Sequence, residues 1–145
     1  MNKRDEIIAE ALTWLGTPYQ HAQMVKGAGV DCGMILVGIF SAVGLIPPEF
    51  RPKPYAPDWH MHRSEEKYLD QIKGFAHEIE RNQAQRGDVV VFKFGRTFSH
   101  GAVIIDASLV LHAALKDGKV TLADMSLDAD LIERDLKFFR VMGLV

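Results

Sequence analysis

The chain holds a single cysteine, Cys32, in the run Val30-Asp31-Cys32-Gly33, directly ahead of the apolar stretch Met34 to Val43. If that stretch is a helix, Cys32 lies where backbone N–H groups are unpaired and the helix dipole is positive. Both effects predict a thiol pKa lowered from about 8.5, hence a nucleophile. A thiolate that attacks a peptide carbonyl also needs a proton carrier, normally histidine. Of the six histidines, His100 opens the run Gly101-Ala102-Val103-Ile104-Ile105 and His112 lies in Leu109-Val110-Leu111-His112-Ala113-Ala114. On adjacent antiparallel strands the two would lie near each other, one as base and one as its orienting partner. Spacing alone leaves open that both histidines merely close their strands or face solvent. Asp58, His60 and His62 sit in a Pro-rich stretch without a second ligand cluster, so no metal site is assigned to them. His77 receives no role.

The elements that must position these residues follow from periodicity. Ile7, Ile8, Ala11, Leu12 and Leu15 recur at helical spacing, and Gly16 and Pro18 end that pattern. Thr17 to Val30 reads as a loop. Met34 to Val43 is apolar nearly all round, so it predicts a buried central helix closed by Gly44. The prolines of Leu45 to Trp59 make that segment irregular. Ser64 is placed to cap a third helix carrying Tyr68, Leu69 and Ile72. Phe75 to Ile79 reads equally as helix or strand. Val89 to Phe94, Ser99 to Ile105, Leu109 to Ala114, Val120 to Ala123 and Lys137 to Val141 read as strands separated by turn signals. Helices first and strands afterwards predict an α+β fold, an antiparallel meander packed on the central helix.

With 145 residues and no internal linker, the chain reads as one domain over residues 1–145. A net charge of -2 without blocks of one sign gives no footprint for nucleic acid or an anionic membrane. One cysteine excludes an intramolecular disulfide and a Cys-rich zinc site. The N-terminal Met1-Asn2-Lys3-Arg4-Asp5-Glu6 lacks the apolar stretch of a signal peptide, which predicts cytoplasmic synthesis.

Four motifs, in order, resemble the NlpC family of murein peptidases. They are Leu15-Gly16-Thr17-Pro18-Tyr19, Asp31-Cys32-Gly33, Arg86-Gly87-Asp88-Val89-Val90-Val91-Phe92 and Ser99-His100-Gly101-Ala102-Val103-Ile104. His112 falls where the family's third polar residue falls. The resemblance implies a papain-like α+β fold and a cysteine peptidase that needs no cofactor and cuts the peptidoglycan stem peptide. It implies Cys32 as nucleophile, His100 as base and acid, and His112 as its orienting partner. It further implies Tyr19 as an oxyanion contact and Asp31 as a contact for the amino end of the substrate. Gly33-Met34 departs from the Ser-Gly that commonly follows the family's cysteine, which bears on substrate preference.

Two further stretches resemble the tail peptidases of long-tailed phages. One is the approach Lys26-Gly27-Ala28-Gly29-Val30-Asp31-Cys32, the other the Pro-rich segment ending in Pro57-Asp58-Trp59. That resemblance implies a virion protein made in the host cytoplasm and acting at the periplasmic cell wall during entry. Its partners would be tail-tip proteins contacted through Leu45 to Trp59. The alternative is a structural tail-tip subunit on the same fold whose catalysis is dispensable or lost.

Overall fold

The computed structural model describes residues 2–52 and 67–145. Ser64, and Asp58, Trp59, His60 and His62 of the Pro-rich stretch, lie outside them.

Helix α1 spans Lys3–Leu12. The Asn2 side chain accepts from the Asp5 N–H at 2.9 Å, and the Asp5 carboxylate accepts from the Asn2 N–H at 3.1 Å. This reciprocal box satisfies two of the free donors at the helix start. The helix ends at Leu12, earlier than Gly16, and Leu12 and Leu15 are exposed. The apolar spacing continued past the point where Thr13 turns its hydroxyl back onto the Glu10 carbonyl at 2.6 Å. Beyond it, the loop predicted for residues 17–30 holds a short hairpin of β1 (Met24–Val25) and β2 (Gly29–Val30).

Helix α2, Met34–Ala42, is buried from Met34 through Phe40. Its interior Gly38 admits the Trp14 ring, whose edge would stand 2.7 Å from a Cβ at that position. Gly44 follows with φ +81°, the left-handed conformation that lets the chain leave the helix. Helix α3 spans Lys67–Lys73 and buries Tyr68, Leu69 and Ile72, as predicted.

The remaining strands are β3 (Ala76–Ile79), β4 (Val89–Phe94), β5 (Thr97–Asp106), β6 (Leu109–Ala114), β7 (Lys119–Asp124) and β8 (Leu136–Val141). They form one antiparallel sheet in the order β3-β8-β4-β5-β6-β7. The predicted meander is its β4–β7 portion, while β8 returns to the free edge of β4 and carries β3 outside it. The β3 pairing with β8 resolves the ambiguity of Phe75 to Ile79. Alternate residues feed two cores. Val89, Val91, Val103 and Leu111 pack with the helices. Val90, Phe92, Ala102, Ile104 and Val110 pack under Leu131 of the segment that joins β7 to β8.

Asp88, fully buried, ties the ends of the fold together. Its carboxylate accepts from Arg4 at 3.1 Å and from Arg140 at 3.0 and 2.9 Å, and also from the Gln85 N–H. Arg4 also donates to the carbonyls of Arg86 and Val145. Of Leu45 to Trp59, the described part sends apolar side chains inward, while Pro47, Pro48, Glu49 and Arg51 are exposed. Ile46 is buried, and Phe50 meets Phe75 edge-on at 5.8 Å.

Candidate active site

One cavity of about 280 Å³ brings Cys32, His100, His112 and Tyr19 together. The helices deliver the thiol and the sheet delivers the histidines. Strand β5 is irregular there: Phe92 pairs with His100, but Lys93 pairs with Phe98, which leaves Ser99 as an extra residue. Such a bulge bends the strand and redirects its groups. The Ser99 carbonyl turns toward the Cys32 thiol, which donates to it across 3.7 Å.

His100 and His112 meet through Nε2 and Nδ1 at 2.7 Å, their rings nearly perpendicular. The Phe94 ring leans on His100 at 5.1 Å and is itself covered by the Arg134 guanidinium at 3.5 Å. Nε2 of His100 is thereby engaged by His112. Burial holds the His112 pKa below its ordinary value, only partly opposed by the charges of Asp128, Asp117 and Asp130. His112 is therefore a neutral partner near pH 7.

Tyr19 is held by backbone pairing. Its N–H donates to the Gly118 carbonyl at 2.8 Å, and the Val30 N–H donates to the Pro18 carbonyl at 3.0 Å. Its side chain lines the cavity beside Cys32, close enough that the Tyr19 hydroxyl and the Cys32 backbone N–H both influence the thiol's titration. A tyrosine O–H and a backbone N–H converging beside a nucleophile are donors of the kind that receive a developing oxyanion.

Asp31 is placed differently. It is buried, does not line the cavity, and accepts from the Gly33 and Met34 N–H groups at 3.1 and 2.9 Å. Its second oxygen accepts from the Ala22 N–H at 2.7 Å and lies 3.9 Å from His21. This corrects the expectation of a lowered thiol pKa. The N–H groups that would favour a thiolate are taken by Asp31, whose charge opposes one. Burial first, and Asp31 second, push the Cys32 pKa up, and the Tyr19 hydrogen bond only partly offsets them. Burial and Asp31 both favour the thiol form of Cys32 over the thiolate.

Sequence reasoning missed several residues. Tyr68 donates its hydroxyl to the Cys32 carbonyl at 2.8 Å. Phe94, Leu115, Lys116, Asp117, Asp128 and Asp130 complete the cavity wall. Their neighbours in sequence gave no sign, because the turn that carries Asp128 and Asp130 is brought in by contacts between distant segments, among them buried Leu131, the Met125 N–H on the Ser108 carbonyl and Arg134 on the Lys93 carbonyl. Among the described residues no three His, Cys, Asp or Glu side chains are grouped to hold a metal ion.

The NlpC/P60 family profile matches residues 16–131, most of the chain and every residue of the cavity. The chain belongs to the NlpC/P60 family. The NlpC/P60 domain of the peptidoglycan hydrolase SagA superposes with a TM-score of 0.62 at 19% identity, covering 98% of this chain and all of that one. NlpC1 from Trichomonas vaginalis gives 0.70 at 14% identity, over 97% of this chain and 44% of its own. RipD from Mycobacterium tuberculosis, described as a non-catalytic NlpC/P60 domain protein adapted to peptidoglycan binding, gives 0.61 at 14% identity, over 98% and 99%. At these identities the likeness establishes the papain-like α+β fold. No curated protein matches the chain by sequence.

Proposed function

We propose that this NlpC/P60 domain is a cysteine peptidase that cuts peptide bonds in the peptidoglycan stem peptide. The fold alone does not carry catalysis, since RipD shares it. The observation that supports catalysis is one cavity holding Cys32, Tyr19 and a His100–His112 pair bonded at 2.7 Å.

In this reading Cys32 transfers its proton to Nδ1 of His100 as it attacks the scissile carbonyl. The Tyr19 hydroxyl and the Cys32 N–H receive the oxyanion. His100 then protonates the departing amine, leaving an acyl-enzyme that water hydrolyses with His100 as base. Because burial favours the thiol, proton transfer accompanies attack and does not precede it. Purified peptidoglycan digested with wild type and with Cys32→Ala tests the reading by mass spectrometry of the soluble products. Wild type should release fragments with new amino termini within the stem peptide and Cys32→Ala should not. Equal release by both would sink it.

We further propose that the domain works in the tail of a long-tailed phage and acts at the periplasmic wall during entry. The approach from Lys26 to Cys32 and the Pro-Asp-Trp segment support this. Ile46 and Phe50 belong to the domain's own core, so contact with tail-tip proteins falls to the remainder of Leu45 to Trp59. Tails assembled with a protein lacking residues 53–59 should lose it; incorporation at the wild-type level would end the docking proposal.

A further inference from the structure

The His100–His112 pair fixes more than its own geometry. For Nδ1 of His100 to accept the Cys32 proton, its Nε2 must carry hydrogen and donate to Nδ1 of His112. Neutral His112 then bears its own hydrogen on Nε2. That Nε2 is buried and bonds no group among the described residues, and His112 is only 5% exposed. A buried N–H left without an acceptor costs roughly 1–3 kcal/mol.

An acceptor of the right charge lines the same cavity. Leu131, buried in the second core, anchors the turn after β7. The Asp128 carbonyl accepts from the Leu131 and Ile132 N–H groups at 3.0 and 2.9 Å. One oxygen of the Asp128 carboxylate accepts from the Asp130 N–H at 2.8 Å. The second oxygen makes no hydrogen bond to the described residues. The other charged groups at this wall are less suited. Asp130 pairs with Arg134 at 3.2 Å, and Asp117 and Lys116 are exposed on the β6–β7 turn. Among the acids, Asp128 exerts the largest field on His112.

We propose that Asp128, which shares the cavity wall with His112 without a hydrogen bond to it, is a positioning residue that accepts the Nε2–H of His112 through one bridging water and extends the relay to Cys32–His100–His112–Asp128. Its carboxylate fixes the His112 tautomer and stabilises the positive charge that His100 acquires during attack. The proposal rests on the peptidase reading above, and the two fail separately. Loss of the peptidase reading shows as an active Cys32→Ala, whereas this inference fails in a wild type that is active.

The test is steady-state hydrolysis of a stem-peptide substrate across pH by wild type, Asp128→Asn, Asp128→Glu, Asp117→Asn and Asp130→Asn. Asparagine keeps an acceptor for the Asp130 N–H, so the turn and the thermal midpoint should persist. Asp128→Asn should lower kcat by about 10- to 100-fold with little change in KM, a loss typical of outer-shell partners. Removing the carboxylate makes protonated His100 less favourable, so the acid limb of kcat/KM should move to lower pH. Asp128→Glu should recover part of the rate, and in the Asp117 and Asp130 variants, whatever their effect on KM as cavity-wall residues, the acid limb should keep its wild-type position. Unchanged kcat and acid limb in Asp128→Asn, or the same shift in all three asparagine variants, would overturn the proposal. Histidine-nitrogen NMR of the wild type gives an independent check. A neutral His112 protonated at Nδ1 would also refute it.

Discussion

The Tyr68 hydroxyl passes over Gly101 to donate a hydrogen bond to the backbone carbonyl of Cys32 at 2.8 Å. Helix α3 thereby restrains the backbone of the nucleophile, and the glycine after His100 provides the space. A methyl on Gly101 would collide with that hydroxyl and crowd a methyl of Leu36 at 3.1 Å. Tyr68→Phe should cost about 1–2 kcal/mol by leaving a buried carbonyl unpaired, and should lower kcat. Gly101→Ala should cost about 1–3 kcal/mol through overpacking. Because phenylalanine removes the colliding atom, the double variant should lose less stability than the sum, as read from urea unfolding. Strict additivity would show that hydroxyl and glycine are uncoupled.

Labelling by iodoacetamide reports on Cys32 alone, since the chain has no other cysteine. With the thiol pKa raised by burial and by Asp31, labelling should keep climbing above pH 9. Tyr19→Phe removes a hydrogen bond that favours the thiolate, so labelling at pH 8 should slow by roughly fivefold, the equivalent of one ordinary hydrogen bond. A plateau near pH 7 in wild type would contradict the buried-thiol assignment.

The lowered pKa of His112 makes stability depend on pH. The folded protein keeps the ring neutral while the unfolded chain protonates it near its ordinary value of 6.5. The unfolded state binds more protons below that value, so stability is present above pH 6.5 and lost as pH falls through the folded pKa. One proton sets a limit of about 1.4 kcal/mol per pH unit. Urea midpoints between pH 7 and 5 should therefore fall in wild type and fall less in His112→Asn. Parallel curves would assign the acid sensitivity elsewhere.

Asp88→Ala should destabilise the protein by about 3–5 kcal/mol, because Arg4 and Arg140 lose the carboxylate they share in a buried site. Thermal unfolding measures it, and a loss below 1 kcal/mol would show that water takes over the role of Asp88.

Local patterns made much of this molecule legible. Apolar continuity gave α2, and short apolar runs divided by turn signals gave β4 through β7, since both are properties of the chain itself. Cys32, His100 and His112 were legible because their chemistry is scarce and their motifs are ordered. What escaped depended on packing between distant segments. Helix α1 stopped short of Gly16 because a hydroxyl-to-carbonyl bond, not the apolar spacing, sets its end. The β1–β2 hairpin and the pairing that fixes Tyr19 arise only once Pro18 and Tyr19 meet Val30 and β7. The reversed thiol shift needed the knowledge that Cys32 is buried and that Asp31 turns one oxygen onto the helix start beside it.

The extra residue in β5 has a consequence for engineering. Deleting Ser99 would bring Phe98 next to His100 and restore an uninterrupted ladder with β4, the change that a search guided by folding free energy alone would favour. It would also remove the carbonyl that faces the thiol. At Ser99 the sheet gives up regularity where regularity would displace the carbonyl that faces the thiol, so stabilised versions of this domain should be screened for turnover before their melting temperatures are compared.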